Sequence, residues 1–140
     1  MCGLLGVVSI KGSCLTNEDI KVLVGVGKKA QRRGVDASGL VLMEADNNIQ
    51  IVKANHGFGT MIRTSQGRNL LRRARDGRAC GLFGHSRLET HGYSGASNNN
   101  QPVIIGNWGV VHNGVITNAP TLRSEIAIDD LGIETDTVAI

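Results

Sequence analysis

Between positions 16 and 30 the apolar and small residues recur with the spacing of an amphipathic helix. They stand at relative positions i, i+3, i+4, i+7 and i+10 and are Ile20, Leu23, Val24, Gly27 and Ala30. Thr16, followed by Asp19, has the arrangement of a capping box, so we expect the helix to begin directly after Thr16. Gly25 and Gly27 each weaken such a helix by about 1 kcal/mol relative to alanine, and Gly34 is predicted to end it.

Shorter apolar runs, bounded by polar or glycine-rich segments, predict β-strands. These runs cover residues 2–10, 40–43, 49–54, 79–85, 103–105 and 108–111. A polar Asp-Asn-Asn segment at 46–48 separates the second run from the third, so those two strands should form an antiparallel hairpin. A further helix is expected over residues 122–128, capped by Asn118 or Thr121. Residues 55–60 are predicted to be a glycine-rich connection.

The composition narrows the class of protein. Hydrophobic residues make up 41% of the 140 positions but aromatic residues only 3%, so the core must consist mainly of aliphatic side chains. The 19 glycines favour tight turns and close backbone approaches over long helices. We see no apolar run of about 18 residues, no leader-like segment and no paired cysteine motif, and therefore expect a cytoplasmic chain without a membrane partner.

Cys2 stands directly behind the initiator methionine, at the head of the first predicted strand. If Met1 is removed, Cys2 carries a free α-amine, and the unperturbed pKa of such an amine is about 7.7 to 8. A fair fraction of the amine is then unprotonated near neutral pH, so the nucleophile and its base belong to one residue. The alternative interpretation is a small buried apolar residue, since free cysteines are among the most buried residue types.

Polar residues at the ends of other predicted strands suggest a ligand pocket. The Asn113 side-chain amide and the Gly114 backbone N–H can donate to a developing oxyanion, although Asn-Gly is also a strong hairpin-turn signal. Arg87 can hold a carboxylate in a bidentate fork, and Asp136 can pair with an ammonium group. Together the two charges are typical of a pocket that binds a free α-amino acid. Taken singly, a charged residue of this kind is more often a structural or surface charge.

Other chemistry-bearing residues are given simpler interpretations. Residues 63–78 contain six arginines but few aromatic residues, so a solvated helix face with Leu70, Leu71 and Ala74 beneath it is favoured over a nucleic-acid surface. No metal is expected at the histidines, which lack ligand spacing; they are His85, His91 and His112. Two cysteines without basic neighbours are expected to be inert core thiols; they are Cys14 and Cys80.

Several short motifs occur in a fixed order along almost the whole chain. They are Met1-Cys2-Gly3, Arg33-Gly34-x-Asp36-x-Ser38-Gly39, Gly84-His85-x-Arg87-x-x-Thr90-x-Gly92, Asn99-x-Gln101-Pro102, His112-Asn113-Gly114-x-Ile116-x-Asn118 and Glu134-Thr135-Asp136-Thr137. As a set they resemble the class II glutamine amidotransferases, which have an N-terminal cysteine nucleophile and include the glutaminase domains of glucosamine-6-phosphate synthase and amidophosphoribosyltransferase.

The resemblance implies an α+β fold of the N-terminal-nucleophile hydrolase type. In this fold two antiparallel sheets are stacked between helical layers in a four-layer αββα sandwich. Residues 1–140 would form a glutaminase domain that stops short of a complete domain of the family at its C-terminal end. Leu88 stands where the sugar-phosphate synthases usually carry a tryptophan, and Val138 stands where a glutamate is usual.

The resemblance also implies a reaction and the residues that carry it. Cys2 would attack the side-chain amide of L-glutamine, releasing ammonia, and water would then free glutamate from a γ-glutamyl thioester. Asn113 and Gly114 would form the oxyanion hole, Arg87 would hold the glutamine carboxylate and Asp136 its α-ammonium. The residues expected to shape the pocket are Thr90, His91 and Gly92.

The expected partners are L-glutamine and a synthase or acceptor domain that takes up the ammonia. We expect a homo-oligomer, no nucleic acid and no cofactor. The alternative function is a non-catalytic glutamine-binding or assembly module, which would follow from retention of Met1, because the α-amine of Cys2 is then blocked.

Overall fold

A computed structural model describes residues 2–10, 13–89, 95–106, 108–125 and 132–140 of the chain. The strands are β1 (Gly3–Val8), β2 (Ala37–Glu44), β3 (Ile49–Ala54), β4 (Ala79–Arg87), β5 (Val103–Ile105) and β6 (Trp108–Val110). The α-helices are α1 (Asn17–Ala30), α2 (Phe58–Met61), α3 (Ser65–Arg73) and α4 (Ala119–Glu125). Single helical turns of other types cover Gln31–Arg33, Ala74–Arg78, Ser97–Asn99 and Asp136–Ala139.

The described strands form two antiparallel sheets. One sheet has the order β1-β4-β2-β3, and the other consists of β5 and β6. The predicted hairpin at 40–54 is confirmed, with Asn47 at a φ of 64° in its turn. The predicted α+β class with two antiparallel sheets is thereby confirmed.

Helices α1, α2 and α3 share one apolar core with the larger sheet. Its buried side chains include Ile20 and Leu23 of α1, Phe58 and Met61 of α2, Leu70 of α3, and Leu5, Leu40, Leu42 and Leu82 of the strands. A smaller cluster joins β5 to the C-terminal residues and contains Val103, Ile133 and Val138. The aliphatic core expected from the composition is present, with Phe58 as its large aromatic member.

Helix α1 begins as predicted but ends differently. The Thr16 hydroxyl accepts from the Asp19 N–H at 3.2 Å, and the Asp19 carboxylate accepts from the Thr16 N–H at 2.8 Å. The predicted stop at Gly34 is wrong, because α1 ends at Ala30 and a 3-10 turn follows it. Gly34 has a φ of −168°, which is extended backbone, and a Cβ there would collide with the main chain at Arg87.

The burial of individual side chains corrects two further expectations, for the segment 55–60 and for Cys14. The segment 55–60 is not purely a connection, because a helical turn begins at Phe58, and both Phe58 and Met61 are fully buried. Cys14 is exposed rather than part of the core, since the neighbouring Leu15 enters the core instead. Cys80 is half-buried, and its Sγ lies 3.3 Å from the Met43 carbonyl oxygen.

Helix α3 has the apolar face that the sequence predicts. Leu70, Leu71 and Ala74 are buried. Arg73 forms a two-point ion pair with the buried carboxylate of Glu44, at 2.9 and 2.7 Å. The remaining arginines of the segment are exposed and are Arg63, Arg68, Arg72, Arg75 and Arg78. No helix among the described residues is both long and apolar enough to span a bilayer.

The two glycines inside α1 generate a matched stability prediction. A Cβ at Gly25 meets nothing within 4 Å, whereas a Cβ at Gly27 would overlap the ring of Phe58. Gly25→Ala should therefore raise the free energy of unfolding by about 0.5 to 1 kcal/mol through helix propensity alone. Gly27→Ala should lower it, because forcing an atom into a packed core typically costs about 1 to 3 kcal/mol.

Urea denaturation followed by circular dichroism measures both variants against the parent chain. Similar shifts in the same direction for Gly25→Ala and Gly27→Ala would contradict the packing of Phe58 against α1.

Candidate active site

Cys2 is held at the start of β1 by the pairing of that strand with β4. The register places Gly3 opposite Ser86, so Cys2 lies beside the residues that follow Arg87. The Cys2 Sγ is 3.5 Å from the Leu88 backbone nitrogen, which donates to it, and 3.6 Å from the Leu88 carbonyl oxygen. The sulfur thus accepts from and donates to the main chain of one residue. These two contacts hold the half-buried thiol against Leu88.

Asn113 contacts Cys2 across a sequence separation of 111 residues. The Cys2 nitrogen donates to the Asn113 Oδ1 at 3.2 Å. Because that oxygen is occupied by the Cys2 nitrogen, the NH₂ group of the same amide is the half left to donate elsewhere. Both residues line one open hollow of about 500 Å³, together with Gly3 and Arg33. The structure thus places Cys2 and Asn113, two residues that the sequence assigns to the site, beside each other.

Gly114 lies beside the ring of His112. A Cβ at position 114 would stand 2.6 Å from the His112 Nε2, so only glycine fits without displacing the ring. Asn113 and Gly114 are both exposed and follow the end of β6 at Val110. A hairpin, the alternative interpretation of Asn-Gly, is not formed here, since residues 111–113 have no regular structure and the chain runs on to α4.

Arg87 is almost completely buried at the end of β4, with 3% of its surface exposed. Burial lowers the pKa of its guanidinium, and this effect is opposed by the negative charges of Glu89, Cys2, Asp36 and Asp136. Two of these four groups, Cys2 and Asp136, are also assigned to the site from the sequence. Arg87 stays protonated, because the ordinary pKa of a guanidinium lies far above neutral pH.

Two residues hold Arg87 and its neighbours in place. The Asn100 Oδ1 accepts from the Arg87 Nη1 at 2.7 Å, with both side chains buried. Asp36 bridges the strand end, because its backbone N–H donates to the Arg87 carbonyl at 3.0 Å and its carboxylate accepts from the Glu89 N–H at 2.7 Å. The Leu88 backbone that faces the Cys2 thiol is thus fixed on both sides.

Asp136 lies at the start of the last 3-10 turn and contacts the loop that carries Asn113. Its Oδ2 accepts from the Ile116 N–H at 2.7 Å, and its Oδ1 is 3.9 Å from the His112 Nδ1. Asp136 lines a different hollow from Cys2, bordered by Ile116, Arg123 and Glu134 among others. The structure therefore brings Asp136 to the loop of the predicted oxyanion hole but not into the hollow of the thiol. The other predicted pocket residues, Thr90, His91 and Gly92, lie outside the described residues.

Some of the residues that build the site were not assigned roles from the sequence. Arg33 donates from its Nε to the Cys2 carbonyl at 3.1 Å, and Asn100 and Asp36 hold the Arg87 segment. Arg33 and Asp36 belong to a motif that was noted, so the signal was present. Which atoms they contact depends on tertiary pairing, and a linear motif does not state it. Among the described residues, no group of three or more His, Cys, Asp or Glu side chains is arranged to hold a metal ion.

His85 is a fully buried histidine of β4 beneath the loop of Asn113. Its Nε2 is 3.1 Å from the His112 carbonyl oxygen. Burial lowers the pKa of His85 to about 4, and the nearby charge of Arg87 acts in the same direction. His85 is therefore neutral near pH 7, and because a carbonyl only accepts, its proton resides on Nε2.

The low pKa of His85 predicts a loss of stability in mild acid. Between about pH 6.5 and pH 4 the unfolded chain binds a proton at this position that the folded chain does not, so the free energy of unfolding falls as the pH falls. The full effect amounts to about 3 kcal/mol. Urea denaturation at pH 7 and pH 4.5 should show this loss in the parent chain and less of it in His85→Gln. An equal loss in both proteins would contradict the assignment.

Several curated proteins that match this sequence share one name. No protein-family model matches the sequence. Proteins named glutamine–fructose-6-phosphate aminotransferase (isomerizing) match it from Wigglesworthia glossinidia brevipalpis (31% identity over 126 residues, 90% of this chain and 19% of the relative). Those from Leifsonia xyli subsp. xyli (30% over 140 residues, 98% and 20%) and Francisella tularensis subsp. tularensis (33% over 138 residues, 98% and 20%) match as well. The chain thus spans about a fifth of the length of these relatives.

A solved structure supports the same assignment at the level of the fold. Glutamine phosphoribosylpyrophosphate amidotransferase from B. subtilis, in complex with ADP and GMP, superposes with a TM-score of 0.69 at 18% sequence identity. The superposition covers 99% of this chain and 28% of the other. The fold, the ordered motifs and the relatives agree, and the chain therefore belongs to the class II glutamine amidotransferases.

Proposed function

We propose that residues 1–140 belong to a glutaminase domain that hydrolyses L-glutamine to glutamate and ammonia. The observation that carries this proposal is the contact between the Cys2 nitrogen and the Asn113 Oδ1, in a hollow that both residues line. It joins a thiol, the position of its prospective amine base and an amide donor within one open site. Each of these parts is needed for acyl transfer from a carboxamide.

The first step forms a thioester once Met1 has been removed. The α-amine of Cys2 takes the thiol proton, and Sγ attacks the side-chain carbonyl carbon of glutamine. The C–N bond of the tetrahedral intermediate then breaks, and the protonated amine delivers its proton to the departing nitrogen, which leaves as ammonia. The amine is already near the nucleophile, so no second side chain has to be positioned as the base.

The oxyanion of that intermediate is stabilised by the Asn113 amide and the Gly114 N–H. The Cys2 nitrogen is bonded to Asn113 Oδ1, which turns the NH₂ half of the amide to the reacting side. A single donor of this kind typically lowers the barrier by about 2.7 to 4 kcal/mol. Asn113 and Gly114 are exposed, so both residues are accessible to a substrate.

The second step releases glutamate. The same α-amine takes a proton from water, the resulting hydroxide attacks the thioester carbon, and the C–S bond breaks as the proton returns to sulfur. The N–H of Leu88, 3.5 Å from Sγ, holds the sulfur in place through both steps.

Charged residues select a free α-amino acid in this proposal. Arg87 binds the glutamine carboxylate, and its burial strengthens a charge-assisted bond because the local dielectric is low. Asp136 binds the α-ammonium, and the substrate must therefore extend from the hollow of Cys2 to Asp136, which lines a different hollow. The remaining pocket wall is assigned to Thr90, His91 and Gly92.

The ammonia is proposed to serve a synthase domain or subunit. The relatives are named for fructose-6-phosphate as the co-substrate of glutamine, and a sugar phosphate is therefore the acceptor class that we propose. We also propose a cytoplasmic homo-oligomer that does not act on nucleic acid, in keeping with the modest net charge of +3.

Removal of the thiol gives the first functional prediction. Cys2→Ala should abolish glutamine hydrolysis, measured as glutamate and ammonia release by the full chain, because no other thiol of the described residues lines the hollow. Cys14→Ala removes an exposed thiol away from the hollow and serves as the matched control, with activity unchanged. Hydrolysis that survives Cys2→Ala would reject the proposed nucleophile.

Intact mass spectrometry separates this function from the non-catalytic alternative. Loss of one methionine together with glutaminase activity supports the enzyme. Retention of Met1, with glutamine binding but no turnover, supports a binding module, because the base is then an amide nitrogen. A variant chain beginning with Cys2 after enzymatic trimming should turn over glutamine if the enzyme proposal is right.

Asn113 offers a test of the oxyanion hole. Asn113→Asp retains an oxygen that can accept from the Cys2 nitrogen but has no NH₂ donor, whereas Asn113→Ala has neither. Both should lower kcat by about 10²- to 10³-fold with little change in KM, since the lost bond forms only in the transition state. A change in KM alone would place Asn113 in ground-state binding instead.

A further inference from the structure

The main chain of His112, directly before Asn113, is held by buried side chains at both its N–H and its carbonyl oxygen. The His112 carbonyl oxygen is 3.1 Å from the His85 Nε2, and the His112 backbone N–H donates to the Gln101 Oε1. His85 is 0% exposed and Gln101 5% exposed, so both bonds to the half-buried His112 come from buried side chains. Hydrogen bonds of this kind are strong and costly to lose, because the stranded partner stays buried.

Both side chains are themselves immobilised. The Gln101 Nε2 donates to the Thr137 Oγ1 at 2.8 Å, so both ends of its amide are used. The backbone of Gln101 packs so closely on Gly39 of β2 that a Cβ on Gly39 would overlap it. Gly39 is in turn paired with His85 on the neighbouring strand. Two adjacent strands of the larger sheet thus support the two contacts to His112.

The loop that carries Asn113 is also held at its other end, at Ile116. The Ile116 N–H donates to Asp136 at 2.7 Å, next to Thr137. Asn113 and Gly114 lie between the two attachment points and are exposed. A loop fixed at His112 and Ile116 has little freedom to reorient the donors between them.

We propose that His85 and Gln101 are positioning residues, which hold the His112 peptide so that the Asn113 amide and the Gly114 N–H face the Cys2 sulfur. Neither side chain touches the proposed substrate; each acts through the main chain of His112. This inference rests on the proposed function, and a displacement of donors by about 1 Å is enough to cost about 100-fold in rate.

The test compares two replacements of His85 in the full chain with Met1 removed. Gln places an amide N–H near the position of the histidine Nε2, and Met fills a similar volume without a donor. His85→Met should lower kcat for glutamine hydrolysis by about 10- to 100-fold with KM within about twofold, and His85→Gln should recover most of the loss. Gln101→Met should reproduce the His85→Met pattern and serves as the second variant should His85→Met not fold.

Two readouts separate positioning from a general loss of structure. Alkylation of Cys2 by iodoacetamide needs no oxyanion hole, so its rate should be unchanged in His85→Met. His56→Met removes another partly buried imidazole, whose Nδ1 has no hydrogen-bond partner among the described residues, and should leave kcat unchanged. Equal falls in kcat for His56→Met and His85→Met, or a fall in alkylation that parallels kcat, would overturn the proposal.

Amide hydrogen exchange keeps this inference distinct from the proposed function. If the parent chain hydrolyses no glutamine, the proposed function fails, yet the backbone amides of residues 112–114 should still exchange faster in His85→Met than in His85→Gln. Equal exchange in these two variants would overturn the positioning role whether or not the parent chain is active.

Discussion

The pairing of β1 with β4 is the contact on which the site depends. It sets Gly3 against Ser86 and thereby brings the chain start to the segment after Arg87. Antiparallel register is discrete, because a slip of one residue turns every side chain to the opposite face. A slipped β1 would therefore move the Cys2 thiol away from the Leu88 N–H altogether, rather than displace it by a fraction of an ångström.

Close backbone contacts at glycine explain much of the motif pattern. Gly3 packs on the last turn of α1 at Ala30, where a Cβ would stand 2.6 Å from the carbonyl oxygen. Gly34 packs on the main chain between Arg87 and Leu88 in the same way. These glycines permit three segments, namely the chain start, the end of α1 and the end of β4, to meet with no side chain between them. The hollow beside Cys2 is bordered by the first two of these segments.

The sequence could predict those elements whose determinants are local. The capping box of Thr16 and Asp19 and the apolar periodicity of α1 depend on neighbours within one or two turns, and both were read correctly. Gly34 was misread as a helix stop because a glycine needed for close packing has the same letter as one needed for a left-handed turn. Phe58 and Cys14 were misjudged since burial depends on which neighbour the tertiary fold turns inward.

The site follows the same distinction. Residue types with intrinsic chemistry, such as Cys2, Arg87 and Asn113, could be identified from the sequence, and the motif resemblance gave them roles. Their supports could not be identified, because the bond from Asn100 to Arg87 is formed by folding and neutral amides carry no chemical signature of their own. The reactive groups of such a site can thus be identified from the sequence. The residues that position them can be identified only from a structure.

The sheet and the loop contribute to the site in different ways during folding. Cys2 and Arg87 belong to a sheet whose core includes three helices, whereas Asn113 reaches Cys2 across 111 residues and through few contacts. Contacts of such long sequence separation repay their loop-closure entropy only after the intervening chain is ordered. The thiol of Cys2 and the guanidinium of Arg87 therefore belong to the sheet, and the loop adds the proposed oxyanion donors to it. Because that loop is attached at His112 and at Ile116, folding itself sets the position of the donors relative to the sheet.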